Sequence, residues 1–248
     1  MLRPHPMTAP PLISPDLLDK LGGDALKAPQ YLRSELAALA ESDHAGGLLK
    51  GAHDALRESF AAIDVVCRSV DPSMTPQAHF LDVKGRADAA LDRIAKNLTD
   101  ARNAAERQIE AIENDIQAAM RVSESSRANE IRSYLRGLKP KDRSAFVLAS
   151  IDAGDTETLG AIFSGPAYLS GFDMGEAGEK QRSVYVGRYR EKVAPEMIAK
   201  QDVLRSAIEI NSTALNQFLD AHSKIFPVNK VEEIASRVNA AKARKAAI

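Results

Sequence analysis

Residues 80–136 read FLDVKGRADAALDRIAKNLTDARNAAERQIEAIENDIQAAMRVSESSRANEIRSYLR, a stretch of 57 residues with no proline and a single glycine, Gly85. Apolar side chains recur along it in steps of three and four residues, which is the period of an amphipathic helix. The apolar stripe consists of Phe80, Val83, Ala87, Leu91, Ile94, Leu98, Ala101, Ala105, Ile109, Ile112, Ile116 and Met120. At about 1.5 Å per residue this helix would be roughly 85 Å long. The sequence therefore predicts an all-α protein, an elongated helical bundle built on one long central helix over about residues 80–136, with smaller helices around it.

The spacing of the stripe also predicts how the helix packs. Ten steps from Phe80 to Ile116 cover 36 residues, a mean of 3.6, whereas strict coiled-coil heptads have a mean of 3.5. The pattern favours a bundle, yet the best candidate partner helix, residues 195–222, has about half the length of the central helix. We therefore expect part of the stripe to stay uncovered in one chain and to form an assembly interface. Its predicted residues are Leu91, Ile94, Leu98, Ile109, Ile112 and Ile116.

Composition and the positions of proline and glycine divide the chain into four segments. These are a proline-rich arm (1–30), short N-terminal helices (31–77), the long helix (78–140) and a C-terminal helical region (141–248) with a glycine-rich loop at 164–180. Six of the twelve prolines lie in the first 29 residues, so we expect residues 1–14 to be mobile until a neighbour orders them. The apolar anchors of this N-terminal region would be Leu12, Ile13, Leu17 and Leu18.

Caps and breakers predict the remaining helices. The chain pattern gives helices at about 15–22, 31–41, 48–70, 141–153, 155–163, 182–193, 195–222 and 230–246. Thr75 with Pro76 provides a start signal for the long helix, and Gly154 with Asp155 ends one short helix and caps the next. Val184 and Val186 leave a short strand open as an alternative.

Bulk properties exclude several classes of protein. The net charge is −1 with 27% charged residues, so no overall field attracts nucleic acid or an anionic membrane. The single cysteine, Cys67, excludes an intrachain disulfide. No apolar run approaches 18 residues, and the first residues lack the apolar core of a signal peptide. We therefore expect a protein that is cytoplasmic when synthesised and has no membrane span.

The motifs of common enzymes do not occur. The five histidines are never paired at the spacing of a metal site, and no Gly-x-Ser-x-Gly nucleophile elbow is present. Cys67 falls on the expected core face of a helix, where a cysteine behaves as a small hydrophobe. The sequence therefore predicts no catalytic residue, no metal, no cofactor and a protein that is not an enzyme.

The glycine-rich loop at 164–180 does not match a phosphate-binding loop. Gly171, Gly175 and Gly178 precede Glu179 and Lys180, but no Gly-Lys-Ser/Thr follows and no strand leads into the loop. Its apolar side chains are Tyr168, Leu169, Phe172 and Met174. They could contact a partner or pack onto the neighbouring helices, and the sequence leaves both readings open.

Two basic segments are candidates for phosphate contact. After Glu233 the chain contains no acidic residue, while Arg237, Lys242, Arg244 and Lys245 supply four positive charges. A second basic segment spans residues 132–143. Such patches can bind the nucleic-acid backbone, although cations at a helix C-terminus are also favoured by the helix dipole alone. Nucleic acid is therefore a candidate partner.

One part of the chain resembles known proteins. Residues 129–143, NEIRSYLRGLKPKDR, together with Ala-Gly-Asp-Thr-Glu-Thr-Leu at 153–159 and Gly-Pro-Ala-Tyr-Leu-Ser-Gly at 165–171, resemble segments of uncharacterised structural-module proteins of tailed bacteriophages and prophages. The proline-rich arm, long alanine-rich helix and small helices are similar as well. The resemblance implies a virion, connector or tail-assembly component. The same combination of features is found in bacterial cytoplasmic scaffold proteins.

Our leading hypothesis is a non-enzymatic structural or assembly protein that oligomerises, or docks on other structural proteins, through its long helices and is incorporated into a virion. The first alternative is a cytoplasmic helical adaptor or regulator that binds a partner protein. The second is a non-specific nucleic-acid-binding protein.

Overall fold

The computed structural model describes Ile13 and residues 30–69, 71–120 and 126–246. Of these residues 88% are helical and none is in a strand. The predicted all-α fold with a long central helix is thereby confirmed. The predictions for the proline-rich arm and for the helix at about 15–22 lie outside the described residues, except at Ile13.

The described part of the chain contains nine α-helices, which we number in chain order. They are α1 (Gln30–Ser42), α2 (His44–Arg68), α3 (Pro76–Met120), α4 (Ala128–Gly137), α5 (Pro140–Ala153), α6 (Thr156–Phe163), α7 (Glu176–Val193), α8 (Pro195–Ile225) and α9 (Val228–Ala246). A short 3₁₀ helix, Ala167–Ser170, lies between α6 and α7. Val184 and Val186 belong to α7, so the strand alternative is wrong.

The central helix α3 is shorter than the sequence predicts. It has 45 residues and ends at Met120, whereas the prediction carried it to residue 136. The apolar stripe also ends at Met120, and Ser123, Ser125 and Ser126 follow it in the sequence. Residues 126 and 127 form a turn, and residues 128–137 form a separate helix, α4.

Local capping explains where several helices begin. The Thr75 hydroxyl accepts a hydrogen bond from the backbone N–H of Ala78 (3.2 Å), as the start signal for α3 predicts. Asp155 accepts from the N–H of Thr158 at the start of α6 (3.1 Å). Just before it, Gly154 ends α5 in the left-handed conformation (φ 68°), which glycine adopts without steric cost.

The helices form two compact units. Unit 1 contains residues 1–106 and 203–248, and unit 2 contains residues 107–202. This grouping does not follow the order of the predicted segments, because α3 and α8 each contribute residues to both units.

The core of unit 1 is apolar. One cluster joins the start of α3, the end of α8 and α9, and it contains Ile13, Cys67, Phe80, Val83, Ala87, Ile225, Phe226 and Ile234. The rings of Phe80 and Phe226 meet edge to face with centroids 5.5 Å apart. Ile13 is buried in this cluster, so this anchor of the arm packs on its own chain.

Unit 2 combines short helices around a smaller core. Its fully buried side chains include Ile116, Leu135, Leu159, Ile162 and Tyr189. The Tyr189 hydroxyl donates a hydrogen bond to the carbonyl of Met120 (3.1 Å), the last residue of α3. Helix α4 packs against α6 and against the 3₁₀ helix.

None of the described helices is both long enough and apolar enough to span a membrane.

Candidate functional site

The predicted interface stripe is mostly internal to the chain. Ile94, Leu98, Ile112 and Ile116 are at most 7% exposed. Leu91 and Ile109 are half-buried. The prediction that these residues form an assembly surface is therefore wrong for the four buried positions.

The physical reason is that several helices cover α3. In unit 1, Leu49 of α2 and Ile208 and Leu215 of α8 line a small cavity of about 110 Å³ beside Leu98. Helix α8 has 31 residues and α2 has 25. The stripe of α3 can therefore be covered by more than one helix and does not need a single partner of matching length.

In unit 2, polar groups hold neighbouring helices against the end of α3. Arg190 of α7 donates two hydrogen bonds to the carboxylate of Glu113, both 2.6 Å long. Gln201 of α8 donates to the carbonyl of Ile109 (3.3 Å). The side chains of Arg190 and Glu113 are mostly shielded from water, so this pair fixes α7 to α3 more firmly than an exposed ion pair could.

An open apolar groove lies between α2 and α3 in unit 1. Its volume is about 350 Å³. We call it the α2–α3 groove, and its lining residues are Glu58, Ser59, Ala62, Ile63 and Val66 of α2 with Val83, Arg86, Ala90 and Arg93 of α3. Alanines at two lining positions keep the groove open, and isoleucine and valine supply its apolar walls. Val65 belongs to the same stretch of α2 and is 61% exposed.

The charged residues of this groove are unevenly paired. Arg86 forms an ion pair with Asp82 on its own helix (3.0 Å). Glu58 and Arg93 are exposed, and no ion pair joins either of them to another described side chain. Helices α2 and α3 follow each other in the chain, and Glu58 and Arg93 are the lining residues of the groove farthest in sequence from the connection between the two helices. The arrangement can bind an apolar helix face and can pair one acidic and one basic group.

The sequence analysis missed this groove. Ile63 and Val66 lie on the apolar face of the predicted helix at about 48–70, which by itself indicates a core face and not an open groove. One signal was available, since Val65 is an apolar residue that does not fall on the Leu49–Leu56–Ile63 face of α2. A helix that is apolar on more than one side has more to bury than a single stripe.

The glycine-rich loop is held by arginines. Arg132 donates to the carbonyl of Ala161 (2.8 Å) and to the hydroxyl of Ser164 (3.0 Å). Arg136 donates to the carbonyl of Leu169 (2.7 Å). Arg143 and Arg182 donate to the carbonyls of Gly171 and Gly165, respectively. We call these four residues the loop arginines.

The contacts of these arginines correct the prediction that the second basic segment, residues 132–143, is a candidate for phosphate contact. Arg132 is 7% exposed and cannot reach an external phosphate. Arg143 is engaged with the carbonyls of Leu135 and Leu138 as well as with Gly171. These guanidinium groups donate to backbone oxygens of the same chain, which is a structural role.

The four apolar loop residues divide between the core and the surface. Phe172 is buried, with its ring centroid 5.9 Å from that of Tyr185, and Leu169 is half-buried. Tyr168 is about half-exposed and Met174 is 80% exposed. Packing onto the neighbouring helices therefore accounts for Phe172, while Tyr168 and Met174 remain as contact candidates.

The four candidate phosphate contacts lie on α9. Arg237 forms an ion pair with Glu233 (2.5 Å). Lys242, Arg244 and Lys245 are exposed on the last two turns of the helix. The structure thus brings these cations together on one helix end.

Perturbed ionisations occur in packed helix contacts. Hydrogen bonds from Arg190 lower the pKa of Glu113 to about 2, so this carboxylate is ionised throughout the neutral range. Burial by itself would raise the pKa of Asp88, but hydrogen bonds from Lys84 and His222 outweigh burial and lower it. Each of these charges is matched by a fixed partner, which is typical of structural pairs.

The thiol of Cys67, the single cysteine, is buried. Burial raises the pKa of its thiol to about 11. The thiolate is the reactive form of cysteine, and the raised pKa keeps this side chain in the thiol form at neutral pH. Among the described residues, no three His, Cys, Asp or Glu side chains come together in a way that could hold a metal ion.

No known protein family matches the chain, and neither curated protein sequences nor solved structures give a match.

Proposed function

We propose that this protein is a non-enzymatic assembly protein, two copies of which associate through the α2–α3 groove. The α2–α3 groove is the single observation that carries the proposal, because it is an open apolar surface on two of the longer helices. Apolar surface of this kind at the side of a helical unit is typical of an interface. Incorporation into a larger particle, such as the phage virion that the sequence resemblance suggests, is the wider form of the same proposal.

Charge placement favours a second copy as the occupant of the α2–α3 groove. A two-fold axis that runs along this groove would place α2 of each copy opposite α3 of the other, at the same height. Glu58 of each copy would then face Arg93 of the other, with the half-buried Ile63 and Val66 between the two pairs. The two-fold rotation would therefore pair Glu58 and Arg93 of each copy with their counterparts in the other.

The expected affinity is moderate. Burying an exposed valine or isoleucine contributes about 1.5–3 kcal/mol, but Ile63 and Val66 are already half-buried in the single chain. Association also costs roughly 4–15 kcal/mol in lost translational and rotational freedom. We therefore expect a dissociation constant on the order of micromolar.

Sedimentation velocity over a range of protein concentrations tests the proposal. The wild type should shift from monomer to dimer, and either Glu58→Arg or Arg93→Glu should shift it back toward monomer by placing like charges face to face. The double variant Glu58→Arg/Arg93→Glu should restore the dimer. Lys96→Glu, an exposed reversal on α3 that lies outside the lining of the α2–α3 groove, serves as the matched control.

Circular dichroism on each variant shows whether the fold is kept. A wild type that stays monomeric at high concentration would overturn the proposal. A dimer that neither single reversal weakens would place the interface elsewhere and would overturn the assignment to the α2–α3 groove.

A further inference from the structure

Two buried polar side chains meet in the core of unit 1. Among the described residues of this unit, His53 (6% exposed) and Asn211 (4% exposed) are the only polar residues that are buried. His53 lies on α2 and Asn211 lies on α8. The Nδ1 atom of His53 is 2.9 Å from Oδ1 of Asn211, and Nδ2 of Asn211 donates to the carbonyl of Leu49 on α2 (3.1 Å). A polar contact therefore joins α2 to α8 within the core.

The carbonyl of Leu49 fixes the positions of the hydrogens in this contact. Because a carbonyl only accepts, the amide nitrogen of Asn211 must face Leu49, and the amide oxygen must face His53. That oxygen also only accepts, so Nδ1 of His53 carries the hydrogen and Nε2 of the neutral ring is a bare acceptor. Nε2 is buried and has no hydrogen-bond partner in the described part of the chain. The contact thus includes an acceptor that has lost water and gained no donor, which lowers stability.

The neighbours of both side chains along their helices are apolar. On α2, the buried Leu49 and Leu56 lie one turn before and one turn after His53. On α8, the residues one turn from Asn211 are Ala207, Ile208, Ala214 and Leu215. A shift of α2 along α8 by one turn, about 5.4 Å, would place His53 against apolar side chains and Asn211 against leucine. Both polar groups would then be buried without a partner, so only the observed register pairs them.

We propose that the contact between His53 and Asn211 fixes the register of α2 against α8 and adds no net stability. Leucine and alanine present similar surfaces from one turn to the next, so apolar packing alone discriminates weakly between registers. A buried polar contact discriminates strongly, because any other register leaves its donors and acceptors unsatisfied. A single buried asparagine sets the register of coiled coils in this way, at a cost in stability. This proposal does not depend on association through the α2–α3 groove.

Distances between spin labels on α2 and α8 test the register directly. Labels at Ala61→Cys and Asn216→Cys, two exposed positions, are introduced together with Cys67→Ala and measured by pulsed electron paramagnetic resonance. With the polar pair intact, this labelled parent should give one narrow distance distribution. The variant His53→Leu/Asn211→Leu should give a broader distribution or a second distance, because a one-turn shift moves a helix by about 5.4 Å. Asn211 lines the cavity of about 110 Å³ beside Leu98, which leaves room for a leucine.

Urea unfolding separates register from stability. His53→Leu or Asn211→Leu alone leaves one partner buried and unpaired, so each should raise the unfolding equilibrium constant at least about fivefold. The double variant leaves neither partner, so its constant should stay within about threefold of the parent or fall below it. The matched control is Leu56→Met/Leu204→Met, which conserves volume at two fully buried positions of the same helices and keeps the polar pair. It should retain the single narrow distance distribution.

Three results would overturn the proposal. The first is an unchanged narrow distribution in the double leucine variant, or equal broadening in the methionine control, because the polar pair would then not set the register. The second is a double variant that fails to fold or is less stable than both single variants, because the pair would then be needed for stability itself. The third comes from nitrogen-15 NMR of the wild type, in which His53 should be protonated at Nδ1. A hydrogen on Nε2 alone would contradict the hydrogen-bond arrangement on which the proposal rests.

Discussion

The two units stabilise their interiors in different ways. Unit 1 is built from long helices and buries an apolar cluster around Phe80 and Phe226. Unit 2 is built mainly from helices of 8 to 18 residues and uses the loop arginines to hold its irregular loop. Every helix leaves about four carbonyls without an internal donor, so short helices leave a larger fraction unpaired. The difference shows that helix length decides how many polar donors an all-α core requires.

A substitution in the apolar cluster of unit 1 should have the largest effect. Phe80→Ala removes a fully buried ring that contacts Phe226, and it should lower the free energy of unfolding by about 3–5 kcal/mol. Hydrogen exchange followed by mass spectrometry should locate the lost protection in unit 1. Leu81→Ala, at a half-buried neighbour of the same cluster, should cost less than about 2 kcal/mol. Equal loss of protection in both units would contradict the division of the chain.

Removal of one loop arginine should have an intermediate effect, now in unit 2. Arg132→Met keeps much of the side-chain volume but leaves the carbonyl of Ala161 and the hydroxyl of Ser164 without these donors. We expect a loss of about 2–4 kcal/mol in urea unfolding. Arg136→Met, at the exposed loop arginine, is the control and should cost less than about 1 kcal/mol. A loss at Arg132 no greater than at Arg136 would show that unit 2 does not depend on its buried arginine.

The ion pair of Glu113 and Arg190 should give the smallest effect, one that depends on pH. The pKa of Glu113 is about 2 in the folded chain, whereas an unperturbed glutamate has a pKa of 4.5. Its contribution is therefore fully present above pH 4.5 and is lost as the pH falls toward 2. After allowance for solvent screening at the partly exposed pair, we expect about 1–2 kcal/mol.

The measurement compares urea unfolding of wild type and Glu113→Gln. The difference between them should be near its full value at pH 6 and should narrow by pH 3, because Glu113 of the unfolded chain, whose pKa is 4.5, is then protonated while the folded chain keeps the carboxylate ionised. A difference that stays constant from pH 6 to pH 3 would assign the stabilisation to shape or hydrogen bonding instead of charge.

Local signals in the sequence predicted the helices well. The Thr75–Pro76 start of α3, the Gly154–Asp155 boundary and the positions of α1, α2, α5, α6, α8 and α9 follow from caps, breakers and apolar period. These signals depend on neighbours within a few residues of each other in the chain. The end of α3 was predicted too late because the helix was carried past the last stripe residue, Met120, over a stretch that contains no proline or glycine.

The candidate site was not predictable to the same degree. Whether a stripe is covered depends on which helices lie beside it, and the cover of Leu98 comes from residues that are 49 positions before it and more than 100 positions after it. The stripe that was predicted to be an interface is therefore mostly buried in the core, and an open apolar surface lies instead in the α2–α3 groove. Likewise, the sequence of residues 132–143 could not distinguish a basic surface from arginines that hold a loop.

The sequence by itself determined that this protein is helical, where most of its helices begin and which residues are apolar enough to be buried, because these properties depend on backbone propensity and local spacing. Only the tertiary structure decided which of those faces meet one another. In the folded chain, α2 and α8 pack beside Leu98 in the stripe of α3, and the loop arginines donate to backbone carbonyls. The tertiary structure also left the α2–α3 groove exposed. The physical reason is that burial and hydrogen bonding between distant segments are set by three-dimensional proximity, which periodicity along one helix does not encode.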